Sequence, residues 1–362
     1  MYQRKDGIWC DTLPRAGKSP KFFYGKTKGD VKRKMAEWQA EQEAGIKLFE
    51  ACDAFLSYKE KQVRYNTYNA YLPSIDRARD YFGDIPLKSI TAKDVQTYVK
   101  YYAAQGWKKS TMVKLLDTLS MVCEYQIING NLAANPCEYV KLPNDLHQER
   151  RNIPDRSIID TVKACVNLEF GLFAYMLIYT GLRRGELLAL TNDDIDLQSN
   201  VIHVRKGVTF QEGGKPVVAA PKTATSVRDI PILKPLRDHI PTQFNGYLFS
   251  LDGGKTPLSS AEFFRLWRSY CRAAGLYDYG QYCSTEGGKT RMIQYKRCTL
   301  SPHQLRHEFA TICFDAGLDP LDAADLLGHS SDRTTREVYT HIKESRKEKT
   351  IQKLSDYVDT AY

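Results

Sequence analysis

The chain has no apolar run near the ~18 residues that mark a membrane span, and its first residues carry no signal-peptide pattern. It has no CxxC pair. Its nine cysteines, at 10, 52, 123, 137, 165, 271, 283, 298 and 313, are scattered and odd in number. That argues against a disulfide framework and against a structural zinc site. Acidic residues are in deficit, 43 against 52 Lys and Arg, for a net charge of +9 and a pI near 8.9. These absences predict a soluble, cytoplasmic chain with reduced thiols and no membrane partner. Hydrophobic residues make up 42% of the 362, enough for real cores, and the length predicts two or three domains. The basic surplus favours a polyanionic partner.

The most informative stretch runs from Ser301 to His341. Ser301 is a good N-cap, Pro302 fits the first helical position, and Gly317 supplies a stop. Asp319 and Pro320 repeat the start signal and Gly328 repeats the stop. The spacing predicts His303 and Arg306 on one face of the first helix, since residues three apart are neighbours there. His329 follows the second helix. A third short helix, opened by a capping box at Thr334 and Glu337, carries Tyr339.

This set of side chains suits phosphodiester transfer. A tyrosine with a pKa near about 10 is a poor nucleophile until a base or cations stabilise its phenolate character. Charge gathering on the phosphate's non-bridging oxygens is met by arginine forks. Histidine moves protons near neutral pH. Upstream stands Thr180-Gly181-Leu182-Arg183-Arg184-Gly185-Glu186. Between the two stretches, strand-like segments over Asn200–Ile232 carry Pro221-Lys222-Thr223 and then Ser226-Val227-Arg228-Asp229-Ile230-Pro231.

HQLRH, LLGHSS and YTH, with TGLR and the hairpin lysine in the same order, resemble the tyrosine recombinases, or phage-type integrases. The likeness is close over residues 150–345 and holds in outline elsewhere. It implies catalytic roles for Arg183, Lys222, His303, Arg306, His329 and Tyr339. Tyr339 is the nucleophile and forms a 3′-phosphotyrosine. Arg183 and Arg306 hold the phosphate oxygens. Lys222 protonates the leaving 5′-oxygen, His303 assists proton transfer or orients the phosphate, and His329 hydrogen-bonds the phosphate. Glu186 holds an active-site arginine in place, and Arg228 is structural. The resemblance implies no cofactor and no metal, since such a site needs no grouped carboxylates. It also implies double-stranded DNA as substrate at core and arm sites, a Holliday junction, a homotetramer on DNA, DNA-bending accessory proteins and an excisionase. In one respect the chain departs from the family. Ten positions separate His329 from Tyr339 where nine are usual, as though one residue were inserted in the turn at Ser331–Thr335.

The expected fold is α+β and multidomain. Residues 1–45 form an arm-type DNA-binding domain of a small sheet plus a helix over Thr27–Glu43. Its first 34 residues hold ten Lys or Arg against three Asp or Glu. A basic tail with a hairpin is the plainer alternative, and Trp9, Phe22, Phe23 and Tyr24 are expected in its core. Residues 46–141 form a helical core-binding domain, with helices at Leu48–Lys61, Tyr65–Tyr81, Ala92–Gln105 and Ser110–Asn129. Its candidate phosphate contacts are Lys59, Lys61, Arg64, Lys108 and Lys109, each of which could equally be a solvated charge. Residues 142–155 form a linker, where Arg150 and Arg151 are further DNA candidates. Residues 156–362 form the mainly α catalytic domain with a small antiparallel sheet. Gly275–Arg297 reads either as a DNA-contacting loop or as a pair of short strands. The charged segment 342–356 docks on a neighbouring protomer or on its own domain. A topoisomerase-like enzyme that relaxes DNA alone is disfavoured by the N-terminal domain and the tail. A non-catalytic architectural binder is disfavoured by the complete catalytic set.

Overall fold

The computed structural model describes residues 1–15, 18–147, 154–221, 224–286, 289–329, 331–333, 335–340, 342–343 and 347. At 18, 41–42, 224, 281–286, 289–291, 293 and 295–296 it describes the backbone alone. The chain divides into two units, Met1–Arg150 and Arg151–Tyr362.

The first unit opens with an antiparallel sheet of β1 (Tyr2–Gln3), β2 (Trp9–Arg15) and β3 (Lys18–Gly25), in that order. Helix α1 (Lys28–Ala44) starts at a reciprocal cap, with Asp30 N–H donating to Thr27 Oγ1 and Thr27 N–H to Asp30 Oδ2, both at 3.1 Å. Phe23 is buried, its ring edge-on to Trp38 of α1 at 5.7 Å. Strand alternation sends its neighbours Phe22 and Tyr24 to the opposite face, where they stack on each other and are 48% and 42% exposed. The expectation that both belong to the core is therefore corrected.

Four helices follow, α2 (Leu48–Glu60), α3 (Tyr65–Phe82), α4 (Ala92–Ala104) and α5 (Lys109–Ile128), all close to the predicted bounds. Their apolar stripes meet in a core that includes Phe55, Ile75, Tyr98, Met112 and Leu115. The predicted linker begins as packed chain. Leu142 and Leu146 lie against this core, and His147 O accepts from Lys109 N–H at 3.1 Å. Arg150 and Arg151 lie outside the described residues.

The second unit starts with α6 (Arg156–Ala164), α7 (Gly171–Thr180) and α8 (Arg184–Leu188). Helix α7 is apolar on every side and is buried accordingly. Strands β4 (Ile195–Asp196), β5 (Val201–Val204), β6 (Gly207–Phe210), β7 (Pro216–Ala219) and β8 (Arg228–Pro231) come next. They form an antiparallel β4-β5-β8 sheet and a separate β6-β7 hairpin, so the predicted VIHVRKGVTF run divides at Arg205–Lys206 into strands of different sheets. Helices α9 (Lys234–Arg237) and α10 (Ser260–Ala273) precede strands β9 (Tyr277–Glu286) and β10 (Lys289–Cys298). These two pair from Tyr277↔Cys298 to Glu286↔Lys289, so Gly275–Arg297 contains a long hairpin. Helices α11 (Pro302–Asp315) and α12 (Pro320–Leu327) then form, and residues 335–340 are helical.

The core of this unit gathers Phe173, Phe249, Phe263, Trp267 and Tyr270. A smaller cluster joins Phe309, Cys313, Leu327, Val338, Tyr339 and Ile342. Among the described residues no helix is long and apolar enough to cross a membrane, and no group of acidic, histidine and cysteine side chains is placed to hold a metal.

Candidate active site

Arg183 stands at the junction of α7 and α8, held there by glycines on either side. Gly181 ends α7 at φ +59°, and a Cβ on it would lie 2.4 Å from Phe309 Cδ1. Gly185 lets α8 meet β6 backbone to backbone; a Cβ there would lie 2.3 Å from Val208 O. Arg183 is the N-cap of α8. Its N–H donates to Glu186 Oε2 at 2.8 Å, its Nη1 to Glu186 Oε1 at 2.7 Å, and its Nη2 to Gly328 O at 2.5 Å.

Glu186 is buried and takes bonds from a second arginine as well. Arg228 Nη1 and Nη2 donate to its two oxygens at 3.2 and 2.9 Å. Burial opposes ionisation of this carboxyl, but the bonds from Arg228 and Arg183 outweigh it and hold its pKa below the ordinary value. Arg306, on α11, comes within 3.9 Å of the same carboxylate. Its Nη1 donates to Gly181 O and its Nη2 to Leu327 O, both at 2.6 Å. Burial, then the charge of Arg183, brings the Arg306 guanidinium down to about 9, which still leaves it cationic at neutral pH.

His329 leaves the C-terminus of α12 and turns toward these arginines. Its Nδ1 lies 2.8 Å from the hydroxyl of the fully buried Thr335. Burial, then the charges of Arg306 and Arg183, lowers its pKa to about 3, so the ring is neutral. His307 also contributes to that shift. His303, exposed on the first turn of α11, lies 4.5 Å from the His307 ring, centroid to centroid.

The structure therefore brings Arg183, Glu186, Arg306 and His329 together. Tyr339 belongs to the apolar cluster with Phe309, Cys313 and Val338. The Tyr339 ring packs edge-on to Phe314 at 5.0 Å, and among the described residues its buried hydroxyl has no hydrogen-bond partner. Burial, then Cys313, Asp319 and Asp322, pushes its pKa up to about 12. The stretch proposed to hold an extra residue is helical in part: Arg333 is helical, as are residues 335–340. Within a helix one added residue turns all that follows by about 100°. Ser331 starts this turn, its Oγ accepting from Arg333 N–H at 3.2 Å. Thr334, the predicted cap, lies outside the described residues, as does Lys222.

Three neighbours were missed by sequence reasoning, or left without a role in the site. Arg228 was assigned only a structural part, yet it shares Glu186 with Arg183. His307 carried a signal, since it lies four residues from His303 on the same helix. Thr335 carried none. In the first unit, Arg64 and Lys108 are exposed N-caps of α3 and α5, and Lys109 is exposed at the first position of α5. Lys59 is half-buried over the rings of Tyr58 and Phe55 at 5.4 and 5.6 Å. Arg184, beside Arg183, turns away among Phe210, Phe263 and Phe264.

The chain belongs to the phage integrase family, which its residues 155–346 match; residues 47–102 match the phage integrase N-terminal SAM-like domain. It is a tyrosine recombinase, an enzyme of site-specific DNA cleavage and rejoining. The ICEBs1 integrase of Bacillus subtilis is 26% identical, with 90% of this chain and 87% of that protein covered. The fold is that of the Tn1549 transposon integrase, solved in complex with a circular intermediate DNA, at a TM-score of 0.62 and 20% identity. That match covers 83% of this chain and 99% of the other. Lambda integrase, solved as a tetramer bound to a Holliday junction, matches over 93% of both chains at 20% identity and a TM-score of 0.57.

Proposed function

We propose that this chain is the integrase of a mobile genetic element and that it exchanges strands through Tyr339. The observation that carries the reading is the convergence of Arg183, Arg306 and His329 around one carboxylate-anchored corner, with Tyr339 ten residues past His329. The likeness to an integrase of Bacillus subtilis and to a transposon integrase supports the mobile-element assignment.

In the proposed step, the Tyr339 oxygen attacks the scissile phosphorus and the bond from phosphorus to the 5′-oxygen breaks. The phenol proton passes to His303, or to water while His303 orients the phosphate. Lys222 gives a proton to the departing 5′-oxygen, which becomes a hydroxyl. Arg183 and Arg306 meet the charge on the non-bridging oxygens. Neutral His329 donates a hydrogen bond to the same phosphate. The 3′-phosphotyrosine keeps the phosphodiester energy, so no step calls for a nucleotide cofactor or a metal. A 5′-hydroxyl of a partner duplex reverses the reaction, giving a Holliday junction that a second round resolves. Before attack, Tyr339 must leave its contact with Phe314.

The proposed partners are core-site duplex DNA, arm-site DNA for residues 1–45, three further protomers, DNA-bending proteins and an excisionase. Lys59, Arg64, Lys108, Lys109, Arg150 and Arg151 are the proposed phosphate contacts outside the active site. The proposed domain bounds remain 1–45, 46–141, 142–155 and 156–362.

The test uses nicked duplexes from the ends of the element that encodes the chain, so that the freed 5′ fragment diffuses away. The wild type should give an SDS-resistant protein–DNA complex. Tyr339→Phe should give none while still shifting the DNA in a native gel. A complex of equal yield with Tyr339→Phe would assign the nucleophile elsewhere.

A further inference from the structure

Three consecutive carbonyls at the end of α12 each accept from a different arginine. Leu326 O takes Arg228 Nε at 2.7 Å, Leu327 O takes Arg306 Nη2 at 2.6 Å, and Gly328 O takes Arg183 Nη2 at 2.5 Å. These carbonyls are among those a helix end leaves without intrahelical partners. The same three arginines surround Glu186. One carboxylate and one helix end thus fix where all three guanidinium groups lie.

The three are not equivalent. The side chain of Arg183 is 41% exposed. That of Arg228 is buried, and its donors are spent on protein: Nε on Leu326 O, Nη1 on Ser226 O and Glu186 Oε1, and Nη2 on Glu186 Oε2. An arginine has five N–H groups, and four are occupied here. A group so engaged serves as a brace between β8, α8 and α12. Gly328 is shaped to it. At φ +64°, a Cβ on Gly328 would lie 2.6 Å from Arg228 Nη1.

We propose that Arg228 is a positioning residue for strand transfer. It ties the α12 carbonyl end to Glu186, and through these two anchors it sets the spacing of the Arg183 and Arg306 forks. This rests on the reading above, in which those two arginines hold the scissile phosphate. Lysine cannot replace Arg228, because a single ammonium cannot bridge Leu326 O and both Glu186 oxygens in one plane.

The test is single-turnover cleavage of the nicked duplex at saturating DNA, with rate constant and endpoint recorded separately. Misplaced groups slow every molecule, whereas loss of folded protein lowers only the endpoint. Arg228→Lys should reduce the rate constant by about a hundredfold, the usual cost of misplacement by about 1 Å. Its endpoint should be retained, and its affinity in a native gel should stay within about threefold, since Arg228 has few donors left for DNA. Gly328→Ala pushes on the same guanidinium from outside and should slow the reaction in the same way. It decides the matter if Arg228→Lys does not fold. A wild-type rate constant in the folded variant overturns the proposal, whether the endpoint is full or reduced. A wild type that forms no covalent complex overturns the functional reading, and this proposal with it.

Discussion

Tyr339 keeps a polar oxygen in an apolar cluster with no hydrogen-bond partner among the described residues, and a buried unmade bond of this kind costs about 1–3 kcal/mol. Tyr339→Phe removes the oxygen and keeps the ring against Phe314. It should therefore stabilise the protein by roughly 1 kcal/mol while abolishing cleavage. Urea unfolding of both proteins measures this; a destabilised variant would show that the hydroxyl is bonded in solution. His329 makes a second prediction. Its folded pKa, about 3, lies below the ordinary value near 6.5. Above that ordinary value the ring is neutral in both states, and its environment costs nothing. As pH falls from there toward 3, the unfolded chain binds the proton first and stability declines. Urea midpoints should drop between pH 7 and pH 5, and His329→Gln should flatten that drop. An equal slope in the variant would mean that His329 is charged in the folded protein. Part of this corner was legible in the sequence: Arg183, Glu186, Arg306 and His329 all come from motifs with recognisable local grammar. Arg228's place was not legible, because its bond to Leu326 O spans 98 positions and no local pattern encodes such a contact.

At the level of elements, helix ends were the most readable feature. Ser301 with Pro302, and Asp319 with Pro320, start α11 and α12 as their capping chemistry dictates. The four bundle helices followed from apolar periodicity. Periodicity says less about which face is covered, so Phe22 and Tyr24 were misplaced to the core. It also says nothing about the docking of residues 335–340, where Tyr339 enters the cluster with Phe309 and Cys313. The close approach of α8 to β6 gives an element-scale prediction. Gly185→Ala would drive a Cβ into Val208 O and displace α8, with Glu186 on it. Overpacking of this kind costs about 1–3 kcal/mol. The variant should lose that much stability in urea and cleave at least about tenfold more slowly, since misplaced catalytic groups are expensive. Wild-type cleavage by this variant would show that α8 need not stay against β6.

On the scale of the whole molecule, a chain of net charge +9 meets a polyanion, and binding should release counterions. If about six phosphates are neutralised, affinity for a core-site duplex falls roughly a thousandfold between 50 and 200 mM salt. A flat salt dependence would separate the chain's basic character from its DNA contacts. The first unit holds a small sheet with a helical bundle, and the second holds the arginine corner. The central claim is that Tyr339 becomes covalently joined to DNA. The most direct measurement is mass spectrometry of the trapped complex after trypsin and nuclease digestion. Arg336 and Lys343 bracket a peptide running from Glu337 to Lys343. The account predicts that this peptide carries a nucleotide attached through its 3′-phosphate to the tyrosine oxygen. A nucleotide on any other peptide, or one attached through a 5′-phosphate, would contradict it.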